Sequence, residues 1–155
     1  MPATMTAASS PLYWDTSALL KCYAPEPDSA AFRTLLGDRP RAVICFVHRL
    51  EMAYALRQKE IRGEILPNTA SRLTARFDRD ADEGRFVVLP WGTDLVQATR
   101  EVLSICGSAS SPIPLRTLDG IHLAAARVAG LQHIVTSDQR IRTAAAALGW
   151  TVVDP

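Results

Sequence analysis

Five short apolar runs, each separated from the next by longer helical text, restrict this chain to one broad architecture. The runs cover residues 12–15, 41–46 ("RAVICF"), 85–90 ("RFVVLP"), 133–136 and 151–153. Each is apolar at consecutive positions rather than alternate ones, as strands covered on both faces require. Helices are expected over 17–23, 28–36, 47–59, 66–83 (with Pro67 in its first turn), 93–105, 117–129 and 139–148. Pro25 and Pro27 separate the first two, and Gly130 and Gly149 end the last two. Strands alternating with helices build βαβ units. The expected fold class is therefore α/β, a three-layer α/β/α sandwich with a mostly parallel central sheet.

Size and composition narrow the setting. At 155 residues and 48% hydrophobic, the chain is expected to form a single domain over 1–155, with 1–10 a flexible N-terminal extension. A domain of this length buries enough surface to fold without a disulfide or metal staple. No run approaches a membrane span, and the first residues lack the basic and apolar segments of a signal peptide. Cys22, Cys45 and Cys106 are an odd, scattered set. They fit reduced thiols in a cytoplasm, not a disulfide framework or a zinc site. A net charge of +1 excludes a strongly basic nucleic-acid binder but leaves room for a local patch. Of the 17 basic residues only Lys21 and Lys59 are lysines. The arginine excess fits either bidentate phosphate contacts or a GC-rich genome.

In open α/β sheets ligands sit beyond the carboxyl ends of the strands. Asp15 and Asp138 follow strands there, although each also stands where an Asp caps a helix. Glu51 falls within the apolar stripe Val47, Leu50, Tyr54 and Ala55 of its helix, not opposite it. A carboxylate turned inward needs an arginine partner, a proton or a cation. Asp119 lies in the first turn of a helix that Thr117 is placed to cap, where the helix dipole favours a negative charge. His122 is one turn further on the same face, either a metal ligand beside Asp119 or a hydrogen-bonded core residue. Several carboxylates at one sheet edge repel one another unless a cation joins them. An all-oxygen donor set suits magnesium or manganese, and such sites carry out phosphoryl-transfer chemistry.

With these residues in view, the chain resembles the PIN-domain ribonucleases, especially the VapC-type toxins of type II toxin–antitoxin systems. The blocks that carry the resemblance are "YWDTSALLKCY", "EMAYAL", "LRTLDGIHLAAA" and "IVTSDQRIRTAAAALGWTVVDP", in this order over residues 13–155. The resemblance implies a PIN-like sandwich with a catalytic cluster of Asp15, Glu51, Asp119 and Asp138. Asp15 and Asp119 are its main metal ligands, and Glu51 and Asp138 complete it. It implies Mg2+, with Mn2+ as the alternative, and cleavage of RNA by metal-activated water attack on a phosphodiester. It also implies a cognate antitoxin protein and a homodimer. Thr136, in T-x-D spacing with Asp138, is an accessory candidate that positions a water or serves the strand end. Arg116 is another, meeting a phosphate or standing solvated. The chain departs from the family pattern at Cys45, where many relatives carry a hydroxyl, and at His48 and Arg49.

Two other functions meet the same residues less well. A phosphatase or receiver with Asp15 as nucleophile wants a second Asp two residues on, where Ser17 stands, or a lysine after a late strand, where none occurs. A catalytically silent module that binds RNA or a partner is the remaining alternative, and the retention of all four acids counts against it.

Overall fold

The computed structural model describes residues 10–37 and 41–155. Of the extension expected over 1–10, all but Ser10 lies outside the described residues. The five apolar runs form one sheet in the order β3-β2-β1-β4-β5. Its strands are β1 (Tyr13–Trp14), β2 (Ala42–Cys45), β3 (Phe86–Leu89), β4 (His133–Val135) and β5 (Thr151–Val152). Every neighbouring pair is parallel, with Tyr13 paired to Val43 on one side and Ile134 on the other. Among the described residues the helices are α1 (Thr16–Tyr23), α2 (Ser29–Gly37), α3 (Val47–Ile61), α4 (Thr69–Asp82), α5 (Thr93–Gly107), α6 (Thr117–Val128) and α7 (Gln139–Ala147). None is long and apolar enough to cross a membrane.

Side-chain alternation along each strand divides the core in two. Trp14, Ile44 and Val135 pack with Leu19, Phe32, Met52, Leu56 and Phe77 of α1–α4. Tyr13, Val43 and Ile134 face the other way, onto Leu95, Val102, Leu123 and Ile141 of α5–α7. This is the expected three-layer sandwich. The two helix layers follow from the direction of travel. From β1 to β3 the chain moves toward one edge, then returns past β1 to β4 and β5. Right-handed crossovers place the helices of outward and return halves on opposite faces. The reversal lies between β1 and β4, where the carboxyl ends of the strands leave a crevice.

Two helices differ from expectation. Along α3 the buried residues include Val47, His48, Met52 and Leu56. Leu50 and Tyr54, read as part of the inward stripe, are 71% and 74% exposed. The stripe is real as a periodicity but lines a surface cleft, because α4 packs on a different side of α3. The next helix begins at Thr69, so Pro67 precedes it rather than occupying its first turn. Glu60 of α3 sets that start: its Oε1 accepts the backbone N–H groups of Thr69 and Ala70 at 2.8 and 3.1 Å.

On the return face, small residues bring α6 and α7 close to the sheet: Ala124, Ala125, Ala144 and Ala145 are all buried. Both helices end at glycines with left-handed φ, Gly130 at 70° and Gly149 at 73°. Overpacking this layer is expected to be costly. Ala124→Leu should lower unfolding stability by about 1–3 kcal/mol in urea titrations. Ala146→Leu, at an exposed position of α7, should leave it within about 0.5 kcal/mol.

Candidate active site

Asp15 stands at the carboxyl end of β1, its N–H bonded to Val135 O of β4 at 3.1 Å. The carboxylate is 3% exposed. Its Oδ1 accepts the Ala18 N–H at 3.3 Å and so caps α1. Ser17 Oγ donates to the same carboxylate, 2.9 Å from Oδ1 and 3.0 Å from Oδ2. The Ser17 oxygen in turn accepts the Ser137 N–H at 2.9 Å, joining the ends of β1 and β4. Burial pushes the Asp15 pKa up, and the His122 charge and these hydrogen bonds only partly offset it. Among the described residues no lysine or arginine pairs with Asp15.

Asp138 has a double role. Its Oδ1 caps α7, accepting the Arg140 and Ile141 N–H groups at 2.8 and 3.3 Å, while Oδ2 accepts from Arg116 at 3.2 Å. The buried Thr136 hydroxyl accepts the Asp138 N–H at 3.0 Å, which makes the T-x-D spacing a turn lock. Asp119 Oδ2 accepts the Arg116 N–H at 3.0 Å, so Arg116 rather than Thr117 holds the cap position of α6. The Arg116 guanidinium also bonds both Asp119 oxygens, at 3.1 and 3.3 Å. Arg116 is therefore neither solvated alone nor free; it bridges Asp119 and Asp138. A carboxylate has two oxygens and about four acceptor sites, so capping and facing a cleft are compatible.

Glu51 is paired, but not with an arginine. Its Oε2 accepts from Thr16 Oγ1 at 2.6 Å and from His122 Nε2 at 2.5 Å. Burial raises the Glu51 pKa, and His122, Thr16 and His48 together more than reverse that, leaving it lowered. For His122 burial acts downward, but bonds to Cys45 and Glu51 outweigh it and push the pKa up. His122 is thus a core histidine that serves Glu51; it makes no bond to Asp119.

Asp15, Glu51, Asp138 and Arg116 line one cleft of about 500 Å³, walled by Leu50 and Tyr54. Asp119 is not among its lining residues and is joined to it through Arg116. The four acids expected to converge thus share one region at the switch point. Their donors are all hard oxygens, and a buried carboxylate without a cationic side chain is what a divalent ion neutralises. Sequence reasoning missed Thr16 and Ser17, whose signal was the D-T-S step leaving β1. Ser17 counted only as a position lacking an Asp.

The PIN domain family model matches residues 12–147. Ribonuclease VapC46 of Mycobacterium tuberculosis is 34% identical over 146 residues, covering 93% of this chain and 97% of that protein. Ribonuclease VapC35 of the same organism is 34% identical over 152 residues, covering 93% and 96%. The crystal structure of M. tuberculosis VapC20, described as a Sarcin-Ricin loop cleaving toxin, superposes with a TM-score of 0.67 at 16% identity, covering 93% and 99%. FitAcB from Neisseria gonorrhoeae superposes at 0.66 with 15% identity, covering 92% and 96%. These structures share the fold described above.

Burial of Asp15 has a measurable consequence. Its folded pKa lies above the ordinary 3.8, so its ionisation costs stability. That cost is absent in acid and grows as pH rises through the raised pKa. Without divalent cations, Asp15→Asn should match wild type below about pH 4 and be equally or more stable at pH 7 in urea titrations. Asp15→Ala, which also drops the helix cap, should fall about 1 kcal/mol below Asp15→Asn. A wild type clearly more stable than Asp15→Asn at pH 7 would show that the ionised carboxylate stabilises the fold and would overturn the raised pKa.

Proposed function

The chain belongs to the PIN domain family, and from that premise we propose that it is a magnesium-dependent endoribonuclease, the toxin of a VapC-type toxin–antitoxin pair. The observation that carries this reading is the buried carboxylate of Asp15 at the switch point, without a lysine or arginine partner among the described residues and sharing a cleft with Glu51 and Asp138. The names of two relatives at 34% identity support RNA as the substrate. A divalent ion bound among these acids supplies charge against the phosphate and acidity to an attacking water.

Each residue then has a task. Asp15 and Asp119 are the proposed main ligands of Mg2+, with Mn2+ as the alternative, and Glu51 and Asp138 complete the set. Ser17 orients Asp15 by donating to both its oxygens. Thr16 and His122 hold Glu51 ionised and aimed. Thr136 fixes the turn that presents Asp138. Arg116 neutralises Asp119 and Asp138 and stands at the cleft, where a substrate phosphate is a competing partner for its guanidinium. The exposed Leu50 and Tyr54 on the cleft wall suit an apolar segment of the cognate antitoxin. A cytoplasmic homodimer completes the proposal.

The test is cleavage of total RNA and a tRNA panel by the purified, antitoxin-free protein. Discrete fragments are expected with magnesium, none with excess chelator, and none from Asp15→Asn. Ser17→Ala, which keeps the metal-binding carboxylates but frees Asp15 to rotate, should be about 10–100-fold slower. Magnesium should also raise the melting temperature of wild type more than that of Asp15→Asn. Cleavage that persists in chelator would overturn the metal-dependent reading. RNA binding without cleavage by folded protein would favour the silent module.

A further inference from the structure

Two of the departures from the family pattern, Cys45 and His48, meet in space behind the acidic cleft. Cys45 ends β2, His48 lies in the first turn of α3, and His122 comes from α6. Tyr13 of β1 reaches the same point. All four are buried, at 0–2% exposure. Cys45 Sγ is 3.6 Å from His48 Nδ1 and 4.0 Å from His122 Nδ1, and the three residues offer ligand atoms within 4.8 Å of one another. Tyr13 Oη closes the group, 3.1 Å from Cys45 Sγ and 2.9 Å from His122 Nδ1.

We infer that Cys45, His48 and His122, with the Tyr13 hydroxyl on the fourth side, form a buried zinc site separate from the acidic cluster. Three observations support it. The first is spacing: tetrahedral zinc bonds of about 2.3 Å to sulfur and 2.0–2.1 Å to nitrogen put those atoms about 3.6 Å apart. The observed 3.6 Å meets that need and the 4.0 Å slightly exceeds it, so His122 must close on the sulfur. The second is orientation. His48 Nε2 donates to Trp14 O at 2.7 Å, and His122 Nε2 donates to Glu51. Each distal nitrogen is thus held by an oxygen acceptor, which leaves both Nδ1 atoms on the side of the sulfur, His48 Nδ1 against the Cys45 backbone at 3.0–3.1 Å and His122 Nδ1 against Tyr13 Oη at 2.9 Å. This is the outer-shell arrangement found around zinc-bound histidines, including a carboxylate–histidine pair. The third is donor chemistry, since a thiolate with two imidazoles selects zinc over the hard ions an all-carboxylate cluster prefers.

Zinc would displace a proton from the Cys45 thiol, and any proton on the two Nδ1 atoms, and take over the His48 lone pair that accepts the Cys45 N–H at 3.1 Å. Its double charge would be balanced by the thiolate and, through His122, by Glu51. Burial means the ion loads as the chain folds. The scattered cysteines argued against such a site because its ligands come from three separate elements and only one is a cysteine.

The test uses the full-length chain carrying Asp15→Asn and Asp119→Asn, which disables the acidic cluster, so the outcome is independent of the nuclease reading. Expressed with zinc and purified without chelator, it should hold about one zinc per chain after dialysis. Expressed with cobalt instead, it should show thiolate-to-cobalt charge transfer in the near ultraviolet and the visible bands of a tetrahedral ion. Cys45→Ser should abolish the charge transfer and Cys22→Ser should keep it. Should Cys45→Ser fail to fold by circular dichroism, His48→Asn is the second variant, expected to lose zinc or change the cobalt bands. Trace metal in the folded background protein, or charge transfer that survives Cys45→Ser, would overturn the site.

Discussion

A carboxylate held almost dry at the end of the central strand is the constraint on which the rest of the active region depends. Asp15 is buried because β1 is the middle strand and both helix layers close over its carboxyl end. Burial disfavours its charge, and nearby groups are arranged to lessen that cost. Ser17, the Ala18 N–H and the more distant His122 each favour the ionised form, yet the pKa remains raised. This is unfavourable for the fold by itself and favourable for cation binding, because a burial cost relieved by a ligand becomes binding energy.

The strand that ends in Asp15 also connects the site to the core. Trp14 faces the outward helices and Tyr13 the return helices, as strand alternation dictates. Tyr13 and His48 are edge-to-face at 5.9 Å, and His48 and His122 at 4.7 Å. Glu51 is therefore anchored through His122 to a polar knot inside an otherwise apolar layer. A buried polar group is tolerated there because each partner is satisfied: among the described residues no buried side-chain nitrogen or oxygen lacks a hydrogen bond. The same satisfaction fixes the Glu51 rotamer at the cleft wall.

Charge balance at the rim follows a different rule. Asp119 and Asp138 have Arg116 between them, whereas Asp15 has only neutral donors within hydrogen-bond reach. Arg116 is largely exposed, so its pairs are screened and exchangeable. The cluster thus has an interior acid held by neutral donors and outer acids shared with an exposed guanidinium.

Much of this was legible along the chain. The continuous apolar runs dictated a sheet covered on both faces, and the acids after the first and fourth runs lay at its carboxyl edge, because strand ends are local properties. Gly130 and Gly149 marked helix ends for the same reason, since only left-handed backbone is needed there. Tertiary structure decided what periodicity is blind to. The stripe of Leu50 and Tyr54 has the period of a core face, but a helix stripe becomes core only where a neighbour covers it. Glu51 needed a partner, but only the fold decided that it is His122 rather than an arginine. Cys45 and His48 are neighbours in a C-x-x-H step, but His122 stands 77 residues beyond Cys45 and only the fold brings it to them. Local sequence determines which residues can end strands and cap helices, whereas side-chain partners between elements depend on distances that only packing creates.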